Sequence, residues 1–258
     1  MPFSEHLILG LTAVAAGAQN SLAGGGTLYT FPALEHFIGP VMANATSTTA
    51  LVTGSVAGAW GFRGELKPAK KWLYWLVPPC ILGGAIGTWL VLYFPDAVFK
   101  ALVPWLILTA ATLFLLQPLI SRWVGAGQPH EEPPTRVKIG VVFFQLLVAI
   151  YGGYFGAGIG ILMITSLSLM GLGDIHRVNA LKSVLAACIN LVSVLIWIAW
   201  NKVRWEYVPA MALAAIVGGY LGARFSRRLN KTLLRWLVIA VGFALSAFYF
   251  ARQWGVFG

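Results

Sequence analysis

The sequence predicts an all-α polytopic membrane protein built from two internal repeats. Each repeat opens on a broken or re-entrant glycine-rich segment and continues with three transmembrane helices. Three observations predict this. Hydrophobic residues make up 59% of the 258 residues and charged residues only 10%, with a mean hydropathy of +0.79; a soluble chain of that composition lacks the polar surface to stay in solution. Two apolar runs, residues 6–38 and 137–170, exceed the roughly twenty residues of a simple span, and glycines interrupt both. Finally, similar motifs recur in the two halves at one spacing.

The first run carries Gln19, Asn20 and Ser21 beside Gly24, Gly25 and Gly26. A glycine triplet breaks a helix, because glycine loses the most backbone freedom on ordering and leaves peptide groups uncovered. Lipid cannot satisfy those groups, so they must face protein or a hydrated cavity. A polar break at membrane depth therefore points to a binding site. Two half-helices meeting at a tip use the length of the run; a single tilted helix with a glycine-lined contact is the competing form. Residues 1–23 are expected to be mature structure and not a cleaved signal, since they hold Glu5, no lysine or arginine, and an apolar run that continues past the glycines.

Residues 41–62 form the next segment and open on Asn44, Thr46, Ser47 and Thr48. The loop after it holds Arg63, Lys67, Lys70 and Lys71 against Glu65, and this positive excess marks a cytoplasmic loop. Spans 72–94 and 97–119 follow, kinked at Pro78, Pro79 and Pro104. These elements make residues 1–119 the first repeat, and the proline- and glycine-rich stretch 120–136 is a polar linker.

The pattern then restarts, and residues 137–258 are the second repeat. Its long run is broken around Gly156, Gly158 and Gly160, and its next segment, 175–200, carries Asn179, Lys182, Ser183 and Asn190. Asn179 lies 135 residues after Asn44, as do Asn190 after Ser55 and Gly218 after Gly83. The basic loop follows the second segment in the first repeat, whereas the richest one in the second repeat, 224–235, follows the third. If positive loops face the cytoplasm, corresponding loops lie on opposite sides and the repeats are inverted. Inversion needs an odd number of crossings per half, which a re-entrant first segment provides. Eight plain spans in a parallel repeat are the alternative.

The stretch GGGTLYTFPAL from Gly24, NATSTTALVTGS from Asn44, and the second-half echo GAGIG from Gly156 followed by NALKS from Asn179 resemble the TauE/SafE family of sulfite and sulfonate exporters. The resemblance covers nearly the whole chain. It implies a multi-pass transporter of the cell membrane that exports small organosulfur or sulfur oxyanions such as sulfite, sulfoacetate or related sulfonates. The chain departs from the commoner pattern in placing Leu181-Lys182-Ser183 where its first half has Thr46-Ser47-Thr48.

The residues themselves suit an anion. Lys182 stands one to two turns inside an apolar segment, where a cation is costly enough to suggest function; snorkelling to the headgroups is the plain alternative. Asn44, Asn179 and Asn190 carry amide donors for an oxyanion or, equally, for interhelical hydrogen bonds. Backbone amides freed at Gly24–Gly26 and at Gly156, Gly158 and Gly160, at the positive ends of half-helices, suit a sulfonate without any side chain.

Other classes are disfavoured. The net charge of +10 sits in short clusters between apolar runs and forms no continuous basic face, which argues against nucleic acid. Cys80 and Cys188 match neither a disulfide framework nor a metal motif and read as packing residues. The four histidines show no ligand spacing, and no GxxxxGK[ST] motif appears. Neither enzyme activity, cofactor nor metal is expected. The expected partners are a small anionic substrate and the lipid bilayer, with a homo-oligomer allowed. An anion channel and a membrane-embedded accessory subunit remain the competing functions.

Overall fold

The computed structural model describes residues 3–22, 24–61, 63–64, 66, 70–123, 134–170, 175–225 and 231–255. The side chain of Ser21, most of the linker, and the side chains of the 224–231 basic loop lie outside that description. Among the described residues ten α-helices run in order: α1 (Phe3–Leu22), α2 (Thr27–Ile38), α3 (Pro40–Gly61), α4 (Lys70–Tyr93), α5 (Asp96–Trp123), α6 (Thr135–Tyr154), α7 (Ile159–Ser168), α8 (Ile175–Ala199), α9 (Val208–Phe225) and α10 (Lys231–Gln253). Five of them, α4, α5, α6, α8 and α10, are long and apolar enough to cross a membrane. The chain is thus a multi-pass membrane protein.

Both long apolar runs are broken where their glycines stand, α1 from α2 and α6 from α7. The arms are unequal. One arm has 20 residues in each run, while the other has 12 in the first and 10 in the second. The cause is local: Gly24 and Gly25 take φ of 82° and 91°, Gly156 and Gly158 take 81° and 79°, and only glycine adopts such angles without strain. Those positions, not the centre of the run, set where the chain turns.

Helix pairing follows the 135-residue shift. α1 packs chiefly on α9 and α6 on α4, while α3 packs on α8 and α5 on α10. The contacts repeat in detail. A Cβ at Gly83 would stand 2.6 Å from Ala149 Cβ, and one at Gly218 would collide with the carbonyl of Val14; 83 and 218, like 14 and 149, differ by 135. Glycine at these positions lets two backbones touch, the usual means of close helix packing in lipid. α3 and α8 run antiparallel, because Ser55 meets Asn190 within them whereas Thr46, nearer the start of α3, meets Arg204 beyond the end of α8.

The described interior holds a small apolar cluster of Ala16, Leu51 and Ala215 and two large ones. One gathers Phe31, Phe99, Phe114 and Phe155 around the first break, with Phe31 and Phe155 in edge contact at 5.2 Å. The other gathers Trp72, Leu76, Ile159, Met163 and Leu185 around the second.

Candidate functional site

The two breaks meet. A Cβ on Gly24 would lie 3.5 Å from Gly160 Cα, and one on Gly25 would lie 3.9 Å from Gly158 N. The short helices α2 and α7 begin there, at Gly26 and Gly158; the Asn20 side chain meets the first start at Gly26 N, and no side-chain cap is seen on the second among the described residues. A helix start carries the positive end of the helix dipole; at α2 the amides of Leu28 and Tyr29 bond to the carbonyls of Gly25 and Gly26, and at α7 that of Ile161 bonds to the carbonyl of Gly158. Two such starts in contact form an electropositive point built from backbone, and backbone amides in that setting bind anions.

Each break is tied by different groups. In the first, Gln19 Nε2 donates to the carbonyl of Gly24 at 3.3 Å, and Asn20 Oδ1 accepts from Gly26 N at 2.8 Å. Gln19 and Asn20 thus fold the chain back, and a Cβ on Gly26 would press on the carbonyl of Ala16. In the second, the Tyr151 hydroxyl donates to the carbonyl of Ala157 at 2.7 Å, while Asn44 Nδ2, from α3, donates to the carbonyl of Tyr154 at 3.0 Å.

The other expected residues lie on α3 and α8, at equivalent positions. Thr46 Oγ1 accepts from Arg204 N at 3.0 Å, and Ser47 shares a 2.6 Å hydrogen bond with Thr30 of α2. Thr48 is half-buried. Ser183 bonds back to the carbonyl of Asn179 on its own helix, and Asn190 uses its amide on Ser55 Oγ at 3.4 Å. Asn44 Oδ1 and Asn179 Oδ1 are both buried with no hydrogen-bond partner among the described residues.

Lys182 is the one charged side chain among the fully buried described residues, with 6% of its surface exposed. It follows Asn179 by three residues, on the same face of α8. A lysine reaching for the headgroups keeps its ammonium in water; burial of this degree does not fit snorkelling. At the 135-residue shift from Lys182 stands Ser47, so α3 has a hydroxyl where α8 has a cation.

Three contributors carry no sequence signal. Phe114 of α5 lies fully buried against the first break, with its ring 2.6 Å from where a Cβ on Gly25 would stand. Tyr151 latches the second break. Gln145, buried in α6, accepts from Ser166 Oγ and donates to Cys80 Sγ at 3.3 Å. Glu35, near the end of α2, is 9% exposed and meets Arg252 at 3.5 Å and the Tyr249 hydroxyl at 3.2 Å; it serves as an anchor between α2 and α10.

The sequence profile described as Sulfite exporter TauE/SafE matches residues 9–249. The chain is 27% identical to a "Probable membrane transporter protein" of Haemophilus influenzae, over 93% of this chain and 92% of that one. It is 28% identical to "Probable membrane transporter protein YfcA" of Escherichia coli K12, over 93% and 87%, and 25% identical to "Probable membrane transporter protein ORF9" of a Sinorhizobium species, over 93% and 91%. No solved structure matches. A profile that spans both broken runs and every helix between them shows that this chain belongs to the sulfite exporter TauE/SafE family of membrane transporters.

Proposed function

We propose that the chain is a secondary transporter that exports small sulfur oxyanions or sulfonates, of the sulfite and sulfoacetate kind, by alternating access at a site between two inverted repeats, residues 1–119 and 137–258, joined by the linker 120–136. The observation that carries this reading is the contact between the starts of α2 and α7 at Gly24, Gly25, Gly158 and Gly160. Discontinuous helices whose N-termini converge near mid-membrane are how secondary transporters hold anionic groups. In this reading Lys182 supplies the full charge, and Gln19, Asn20, Asn44, Asn179 and Ser183 supply polar groups. Inversion is supported by the antiparallel course of α3 and α8 and by the exchanged contacts of Gly83 and Gly218. Phe114 closes over Gly25, which suits an occluded form.

An anion leaving a cell that is negative inside gains about 2.3 kcal/mol per charge at 100 mV, and export is driven mainly by that potential. Proteoliposomes preloaded with sulfite or sulfoacetate test it. The expected result is saturable efflux that accelerates when the outside is made positive. Efflux that ignores the potential and follows only a pH gradient overturns the driving force, and the absence of saturable efflux for any sulfur oxyanion overturns the function.

A further inference from the structure

The first turns of α4 and α6 lie at one end of the bundle, because the two helices run side by side in the same direction: Gly83 abuts Leu146, and Gly87 abuts Tyr154. Those turns bring together Lys70, Lys71, Arg136 and Lys138. Trp72, only 5% exposed, sits between two of them, with Lys71 Nζ 5.2 Å and Lys138 Nζ 5.5 Å from its ring centroid, one lysine from each helix. Lys71, Trp72, Trp75 and Lys138 line a recess of about 160 Å³. A second recess of about 440 Å³, lined by Lys70, Leu73, Tyr74, Val77 and Pro78, lies on a different face of α4, because residues two apart on a helix point nearly opposite ways. On the face of the first recess, Lys71 is followed at helical spacing by Trp75 and Leu82, 66% and 55% exposed, which lead from the basic end toward the apolar part of α4.

The corresponding end of the other pair, α9 and α1, holds Lys202 and Arg204 offset by Glu206 and Glu5. The basic recess is therefore particular to one side of the molecule, and that side has the charge expected of the cytoplasmic face, where anionic lipids attract lysine and arginine near the surface.

We infer that the first recess binds one anionic phospholipid, with its phosphate between Lys71 and Lys138 over the edge of Trp72 and an acyl chain along Trp75 and Leu82. The lysines supply charge, the tryptophan holds them in place through the ring face, and the apolar stripe is what a free phosphate has no use for. The site is independent of the proposed transport route.

The test is thermal unfolding of the purified protein in neutral detergent with added phosphatidylglycerol, phosphatidylcholine or inorganic phosphate. Phosphatidylglycerol is expected to raise the midpoint saturably, while the other two leave it unchanged at equal concentration. In the double variant Lys71→Gln, Lys138→Gln the half-saturating phosphatidylglycerol concentration is expected to rise about thirtyfold, at roughly fivefold per lysine. The double variant Lys202→Gln, Arg204→Gln, altered at the opposite end, is expected to match wild type. Equal stabilisation by phosphatidylcholine or by free phosphate overturns the inference, as does an unchanged half-saturation in the first variant or an equal loss in both. Lys138→Gln alone, expected to show the fivefold change, gives the same reading if the double variant does not fold.

Discussion

The two breaks occupy equivalent places, yet they are built differently. The first latches itself: Gln19 and Asn20 of α1 bond to Gly24 and Gly26, and the aromatic ring of Phe114 fills the space above Gly25. The second is held partly from outside, by Asn44 of α3 on the carbonyl of Tyr154, with the Tyr151 hydroxyl across the turn. The far end of α2 is anchored through Glu35, whereas α7 has the apolar Leu167 at the matching place. The helix beside each break differs as well: Ser47 of α3 is satisfied by Thr30, while Lys182 of α8, 135 residues on, is a buried charge. The difference teaches that two breaks of similar outline are held by different chemistry, one beside a satisfied hydroxyl and the other beside a buried lysine.

That contrast is tested most sharply at the glycines. Gly25→Ala is expected to cost about 1–2 kcal/mol for the left-handed backbone and about 1–3 kcal/mol more for overpacking against Phe114. Gly158→Ala, with Ala110 at an ordinary 3.5 Å, is expected to cost only the backbone part, about 1–2 kcal/mol. Unfolding midpoints in detergent compare them, and Phe114→Leu added to Gly25→Ala is expected to recover part of the loss, a departure from additivity that contact predicts. Equal effects at the two glycines would erase the proposed asymmetry.

Smaller effects separate the latches. Asn20→Ala removes a side-chain acceptor from Gly26 N and is expected to cost about 1–3 kcal/mol, the range for leaving a buried donor unmet. Tyr151→Phe removes one hydrogen bond and is expected to cost about 1 kcal/mol. Chemical denaturation of each in the same detergent gives the comparison, and a larger loss for Tyr151→Phe would reverse the ranking of the two breaks. The smallest change is expected of Arg252→Gln. Arg252 is 51% exposed, and solvent-screened pairs contribute about 0–1 kcal/mol; a midpoint shift larger than that of Asn20→Ala would make the α2 anchor more important than its latch.

Much of this was legible in the sequence. The breaks were, because three adjacent glycines inside an apolar run have no plain helical explanation, and so was Lys182, because a lysine among leucines and alanines stands out. The 135-residue shift is readable from Asn44 and Asn179. It fails at the breaks themselves, where Gly24 pairs with Gly156 and Gly26 with Gly158, 132 residues apart. The first long arm therefore runs nearly one turn further past the Val14 contact than the second runs past Ala149. Phe114, Tyr151 and Gln145 were not legible. In a membrane helix both the lipid face and the core face are apolar, so an aromatic residue packed on a glycine reads like any other. The burial of Trp72 was hidden for the same reason: a tryptophan at a helix end ordinarily marks the interface.

The central claim, that the converging helix starts and Lys182 hold a small sulfur anion, is tested most directly by ligand-induced thermal stabilisation of wild type and Lys182→Ala with a panel of sulfur oxyanions and sulfonates. At least one of them is expected to raise the wild-type midpoint saturably, with the half-saturating concentration at least about tenfold higher in the variant, a difference of about 1.4 kcal/mol. Stabilisation that is unchanged in Lys182→Ala, or none by any anion in wild type, contradicts the account.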